Sequence, residues 1–199
     1  MENTAISWRY GALGAAALII IGISAWWFMG KETPFVHPFP LVAGETVENW
    51  NFQGLHAEGS ENEARVRAEI ERLEGRFGNP EKDPTDYIVN VSIANQYRIL
   101  GDGKKEYEYL GRALFIDSSG TGLALHNMGN LLAELGALES AKLAFQNAVR
   151  AQALPQYKNA YIRFLELYMP ENTEAIKAAK DGRYTEDVVE VDGESVIME

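Results

Sequence analysis

The stretch GLALHNMGNLLAELGALESAKLAFQNAVRAQALP, residues 122–155, decides the fold. Leu125, Met128 and Leu132 precede Gly136 at spacings of three and four, and Ala141, Phe145 and Ala148 follow it in the same way. That period reads as two amphipathic helices joined by a glycine turn. The small residues Gly129, Ala141 and Ala148 fall where the two helices would cross closely, and Leu125, Leu132 and Phe145 fill the space between them.

Working outward, Gly136 has a counterpart in Gly101 and Ala148 in Ala113, both at an offset of 35 residues. A fixed period of this size implies stacked supersecondary units. The preceding copy, about 87–120, keeps Ala94, Tyr97 and Ala113 but has Glu106 where the better copy has the small Ala141. A third unit begins near Gln156, with Tyr157, Ala160, Tyr161, Phe164 and Tyr168 on one stripe and a second helix expected from Glu171 to Asp181. The pattern resembles the tetratricopeptide repeat (TPR), W-x2-L-G-x2-Y followed by A-x3-F and then proline.

Upstream, Ser60 and Glu63 form a capping box, and Val66, Ile70, Leu73 and Phe77 make one apolar stripe. Gly78-Asn79-Pro80 is expected to stop that helix. The next is expected from an Asp83-Pro84 start to Leu100, with Gly101-Asp102-Gly103 turning the chain into a helix that ends near Asp117.

The chain therefore divides into four parts. Residues 1–30 hold an apolar run, Tyr10 to Gly30, without a charge and flanked by Trp8, Trp26 and Trp27. A helix of that length spans about 30 Å, the bilayer's hydrocarbon thickness, and a cleaved signal peptide would end in small residues rather than Trp-Trp-Phe. An uncleaved single-pass anchor is expected over 10–30, with the N-terminus cytoplasmic and the rest of the chain outside the cytoplasm. Residues 31–59 carry Pro34, Pro38 and Pro40 and read as a semi-rigid spacer. Phe35, Phe39, Trp50 and Phe52 are too apolar for a purely solvated tether, so part of it is expected against the membrane or the following domain. Residues 60–181 form the helical domain.

Residues 182–199 form an acidic tail. From Asp181 to Glu199 there are seven acids and one arginine. Val188–Val191 and Glu194–Ile197 around Asp192-Gly193 read either as a small β-hairpin or as a disordered tail. Arg98, Arg150, Lys158 and Arg163 are cations that a folded-back tail would meet. The fold class is all-α, a transmembrane helix followed by a short solenoid of TPR-like hairpins.

Charge and composition narrow the function. With 18 Lys+Arg against 29 Asp+Glu the net charge is −11, which disfavours nucleic acid. The chain lacks cysteine, which removes disulfides, thiolate metal sites and cysteine nucleophiles, and its three histidines leave little for metal chemistry. No catalytic or cofactor-binding motif is found, so a non-enzymatic role is expected.

The TPR resemblance implies that the first helix of each hairpin lines a groove for an extended peptide. Asn95, His126, Asn127, Asn130 and Tyr161 are its candidate residues, and the asparagine amides suit a peptide backbone because they both donate and accept. Val91 and either Tyr157 or Tyr161 stand where some members place carboxylate-clamp cations. The layout is similar to membrane-anchored TPR proteins of bacteria that assist secretion, envelope or pilus assembly. It implies a scaffold or adaptor that holds a protein partner at a membrane, the alternative being a self-assembling, homo-oligomeric structural subunit.

Overall fold

The structure, a computed structural model, describes residues 35–78, 85–118 and 121–184. The chain divides into two compact units, Met1–Val36 and His37–Glu199. Of the first, only Phe35 and Val36 are described, and the expected membrane segment 10–30 lies outside the described residues. No helix among the described residues is long and apolar enough to cross a membrane. The strands expected in the tail also lie outside the described residues.

The second unit is all-α among the described residues, with seven helices: α1 Glu61–Glu74, α2 Asp86–Leu100, α3 Gly103–Ile116, α4 Leu123–Glu134, α5 Leu138–Ala151, α6 Pro155–Tyr168 and α7 Thr173–Lys180. They pack as consecutive hairpins, α2 on α3, α4 on α5 and α6 on α7, with α1 against α2. One core runs through them, centred on Val89, Ile93, Leu110, Met128, Leu131, Leu132, Ala141, Ala144 and Leu165.

The 35-residue period is geometric as well as compositional. α3 and α5 have 14 residues each, and the N-caps of α3, α5 and α7 are Asp102, Ala137 and Asn172, one period apart each time. Gly101 and Gly136 take left-handed backbone, φ +79° and +80°. The amides that follow them close equivalent turns, Asp102 N to Tyr97 O at 3.0 Å and Ala137 N to Leu132 O at 2.9 Å. This is the helix-ending arrangement that favours glycine. The same spacing fixes the register of the third unit, where Ile176 takes the place of Ala141.

Several expected boundaries shift. Ser60 Oγ accepts from Glu63 N at 3.2 Å, but the Glu63 carboxylate accepts from Gly59 N rather than closing back on Ser60. α1 ends at Glu74 with Gly75 as its cap, before the Gly78-Asn79-Pro80 stop, and Phe77 is exposed while Val66, Ile70 and Leu73 are buried. α2 starts at Asp86 after Thr85, and Asp83-Pro84 lies outside the described residues. α7 begins two residues later than expected because the Asn172 side chain, accepting from Ala175 N, caps it there.

The spacer lies against the helical domain over most of its length. Residues 37–59 form a strap bound along α3, the start of α5 and the end of α2. His37 stacks on Tyr107, centroids 3.6 Å apart and 8° from parallel, and Phe39 is buried. Backbone bonds then tie the strap to the α2–α3 turn: Gly103 N to Trp50 O at 2.9 Å, Phe52 N to Gly101 O at 3.0 Å and Leu55 N to Ile99 O at 2.8 Å. Burying Phe39 and half-burying Trp50 and Phe52 on the domain returns more free energy than leaving them solvated in a tether, while Phe35 stays exposed.

Glycines make the seat. A Cβ at Gly101 would stand 2.2 Å from Phe52 O, and one at Gly103 2.5 Å from Trp50 O. Gly101 thus serves both the turn and the strap, whereas a Cβ at Gly136 would meet nothing.

The strap also completes a helix. Asp102 caps α3 by accepting from Lys105 N, but at the equivalent place in α5 stands Ala137, which has no side-chain acceptor. Glu45 supplies it: Oε1 accepts from Glu139 N and Oε2 from Ser140 N, both at 2.8 Å. A carboxylate there satisfies two free helix donors and faces the positive end of the helix dipole. Ser140 Oγ in turn accepts from Val42 N at 2.8 Å, fixing the strap beside its own cap.

Candidate protein-binding face

The strap lies along α3, the start of α5 and the last turn of α2, while the expected site residues lie on α2, α4 and α6. α2 ends beside α4, and there Asn127 Nδ2 donates to Asn95 Oδ1 at 3.0 Å. The two amides come from successive hairpins, and the bond lies at the surface. Each keeps one polar atom beyond that bond, Asn95 Nδ2 as donor and Asn127 Oδ1 as acceptor. Together they present the complement of one peptide unit.

His126 sits one residue earlier on α4, half-buried, its ring 5.4 Å from Tyr157 and 5.8 Å from Phe145. Asn130 Nδ2 lies 3.1 Å from His126 Nε2. With Nε2 accepting, the neutral ring carries its proton on Nδ1, which is buried without a partner. Burial lowers the His126 pKa, so the ring is neutral near pH 7. It therefore orients Asn130 and packs under the face rather than offering a positive charge.

Tyr161 does not join this group. It is 2% exposed, and its hydroxyl accepts from Gln146 Nε2 at 3.0 Å. It lines a cleft of about 180 Å³ between α5, α6 and α7, with Asn172, Arg183 and Tyr184. The stripe Tyr157, Tyr161, Phe164 is the buried face of α6, and burial of the aromatic ring has decided its place. Val91 and Tyr157 are buried as well, so the positions of clamp cations carry packing residues.

A second polar cluster was not evident from the sequence. Glu106, in the place of Ala141, is 1% exposed. Its Oε1 lies 3.1 Å from Arg98 Nη1, and Arg98 Nη2 reaches Glu134 at 2.6 Å. The guanidinium also lies over the Phe52 ring of the strap, 5.7 Å from its centroid. Glu106 Oε2 has no partner. Burial pushes the Glu106 carboxyl up to about 7, against the pull of Arg98. Arg98 is thus shared between the buried Glu106 and the half-exposed Glu134. The available signal was the mismatch itself: a long acid at a small position needs a cation, and Arg98 is the one within reach across the turn.

Lys158, another cation expected to meet the tail, lies over the Tyr184 ring, its Nζ 5.7 Å from the centroid. Among the described residues no three His, Asp or Glu side chains gather as metal ligands. Compared with family models, curated proteins and solved structures, the chain finds no match.

Proposed function

We propose that this chain is a non-enzymatic, membrane-anchored scaffold or adaptor of TPR type, held in the membrane by residues 10–30, with its helical domain outside the cytoplasm. It binds an extended segment of a protein partner along α2 and α4, as in assemblies that serve secretion, the envelope or pili. The observation that carries this reading is the Asn95–Asn127 pair, which joins successive hairpins at the surface and uses only one polar atom of each amide. The strap supports it, because its contacts at His37, Val42 and Glu45 go to α3 and α5, and it meets α2 only in the last turn, at Arg98 and Ile99.

The test is selection of peptides from a displayed library of extended sequences against the full chain in lipid nanodiscs. Selected peptides should lose affinity to Asn95→Ala and Asn127→Ala, each by about 0.5–1.5 kcal/mol for a lost hydrogen bond. They should keep it in Lys104→Ala, an exposed change on α3. Peptides indifferent to both asparagines would sink the reading. Recovery of the chain by itself alone would favour the self-assembling subunit.

A further inference from the structure

The end of the domain opposite the Gly101 and Gly136 turns carries an apolar rim that the fold does not use. α2 starts there, α3 ends there, and the α5–α6 connection lies there. Phe115 is 77% exposed and Ile116 52%, in the last turn of α3, with Leu154 at 40% before α6 and Ile88 at 38% in the first turn of α2. Single exposed apolar residues are ordinary, but four at one end, two of them adjacent, form a patch.

The occupant follows from where the chain enters. His37 is seated on Tyr107 and against Gly111 of α3. Tyr107, Gly111 and Phe115 recur every four residues, so Phe115 continues the stripe on which His37 sits. Ile116 lies only about 8 Å further along the helix than Gly111. Before His37, six residues separate the domain from Gly30, the end of the apolar run, and they reach about 20 Å at most.

We infer that the Phe115–Ile116 rim, with Leu154 and Ile88, is a lipid-contacting surface that seats the domain on the bilayer interface from which the chain emerges. This rests on the anchored reading of residues 10–30. The contact is apolar in character. Asp86 and Asp117 offset Arg150 and Lys158 at this end, and a chain of charge −11 gains nothing from anionic headgroups. Phosphatidylcholine should therefore suffice, and the contact should persist in high salt, as burial of aromatic and aliphatic side chains in the acyl boundary does.

The cysteine-free sequence makes the test direct. Full chains carrying Phe115→Cys, Ile116→Cys or Leu167→Cys are labelled with an environment-sensitive dye and reconstituted in phosphatidylcholine vesicles. Leu167, 66% exposed near the far end of α6, is the reference. Dye at 115 and 116 should be quenched by brominated lipid and be several-fold less open to aqueous iodide than dye at 167. A chain that stays with the vesicles after a carbonate wash but shows 115 and 116 as open to iodide as 167 overturns the inference and leaves the anchor standing. Shielding from iodide without quenching by lipid overturns it too, in favour of a second protein surface. A chain washed off the vesicles overturns the anchor, and the rim's role with it.

Discussion

Gly111 is the helical position on which His37 rests: a Cβ there would stand 2.2 Å from Nε2 of the imidazole. That nitrogen lies 2.9 Å from Tyr107 O, and Nδ1 accepts from Phe39 N at 3.1 Å. Nδ1 also lies 2.8 Å from Phe39 O, and burial lowers the His37 pKa against the pull of the two carbonyls. A glycine inside a helix ordinarily costs about 1 kcal/mol relative to alanine. Here it is the condition for docking the strap.

Gly111→Ala should therefore destabilise the domain, by about 1–2 kcal/mol as the overpacked ring is displaced. In a His37→Ala background the same change should stabilise by up to about 1 kcal/mol, the intrinsic helix preference. Denaturant midpoints of the four chains give the cycle. If Gly111→Ala stabilises in both backgrounds, His37 is not seated there.

Glu45 is a cap supplied from 94 residues away. Glu45→Ala should cost about 0.5–2 kcal/mol, the usual range for losing an N-cap acceptor. Amide exchange at Glu139 and Ser140 should speed up, while Lys105, capped locally by Asp102, stays protected. Equal exchange at all three sites in both proteins would show that α5 does not depend on the strap.

The helices and their period were legible because they are local: spacing of apolar residues, glycine turns and caps lie within a few residues of one another. Asn95 and Asn127 stand out in the sequence as similar positions in successive units, but the bond between them does not. The burial of Tyr161 was not legible, because a stripe of aromatics at helical spacing does not say which side of the helix is buried. The aromatics of the strap hinted at a packed surface, but its partners were illegible for a different reason. His37 meets Tyr107 at a separation of 70 residues and Glu45 meets Ser140 at 95, and neither partnership leaves a periodic trace. Its imprint was present in Gly111 and in the acceptor-free Ala137, neither of which the period explains.

The core of the second hairpin has little room. A Cβ at Gly129 would lie 2.9 Å from three carbons of the Phe145 ring, and Ala141 is fully buried. Ala141→Leu should cost about 1–3 kcal/mol by overpacking, and Phe145→Ala about 3–5 kcal/mol through the cavity it leaves. Gly129→Ala should be better tolerated with Phe145→Leu than with Phe145, which thermal midpoints of the pair will read. Additive effects at 129 and 145 would refute the close approach.

Glu106 gives the domain a pH dependence of definite sign. Its folded pKa of about 7 lies above the carboxylate's ordinary value, so between these two the folded state holds more protons than the unfolded. Stability from this group is complete below the unfolded pKa and is lost as pH rises through the folded one. The difference is on the order of 3 kcal/mol between pH 4.5 and 8. His37 and His126 titrate in the opposite sense, their pKa values being lowered by burial. The comparison must therefore be made against Glu106→Gln, in which both histidines remain. Wild type minus Glu106→Gln should lose stability steadily from pH 5 to 8 in urea titrations. Removing Arg98 by Arg98→Met should steepen that loss, because the carboxylate then ionises without its partner beside Glu134. A flat difference would mean that water reaches Glu106 Oε2 and that the carboxylate is solvated inside the hairpin.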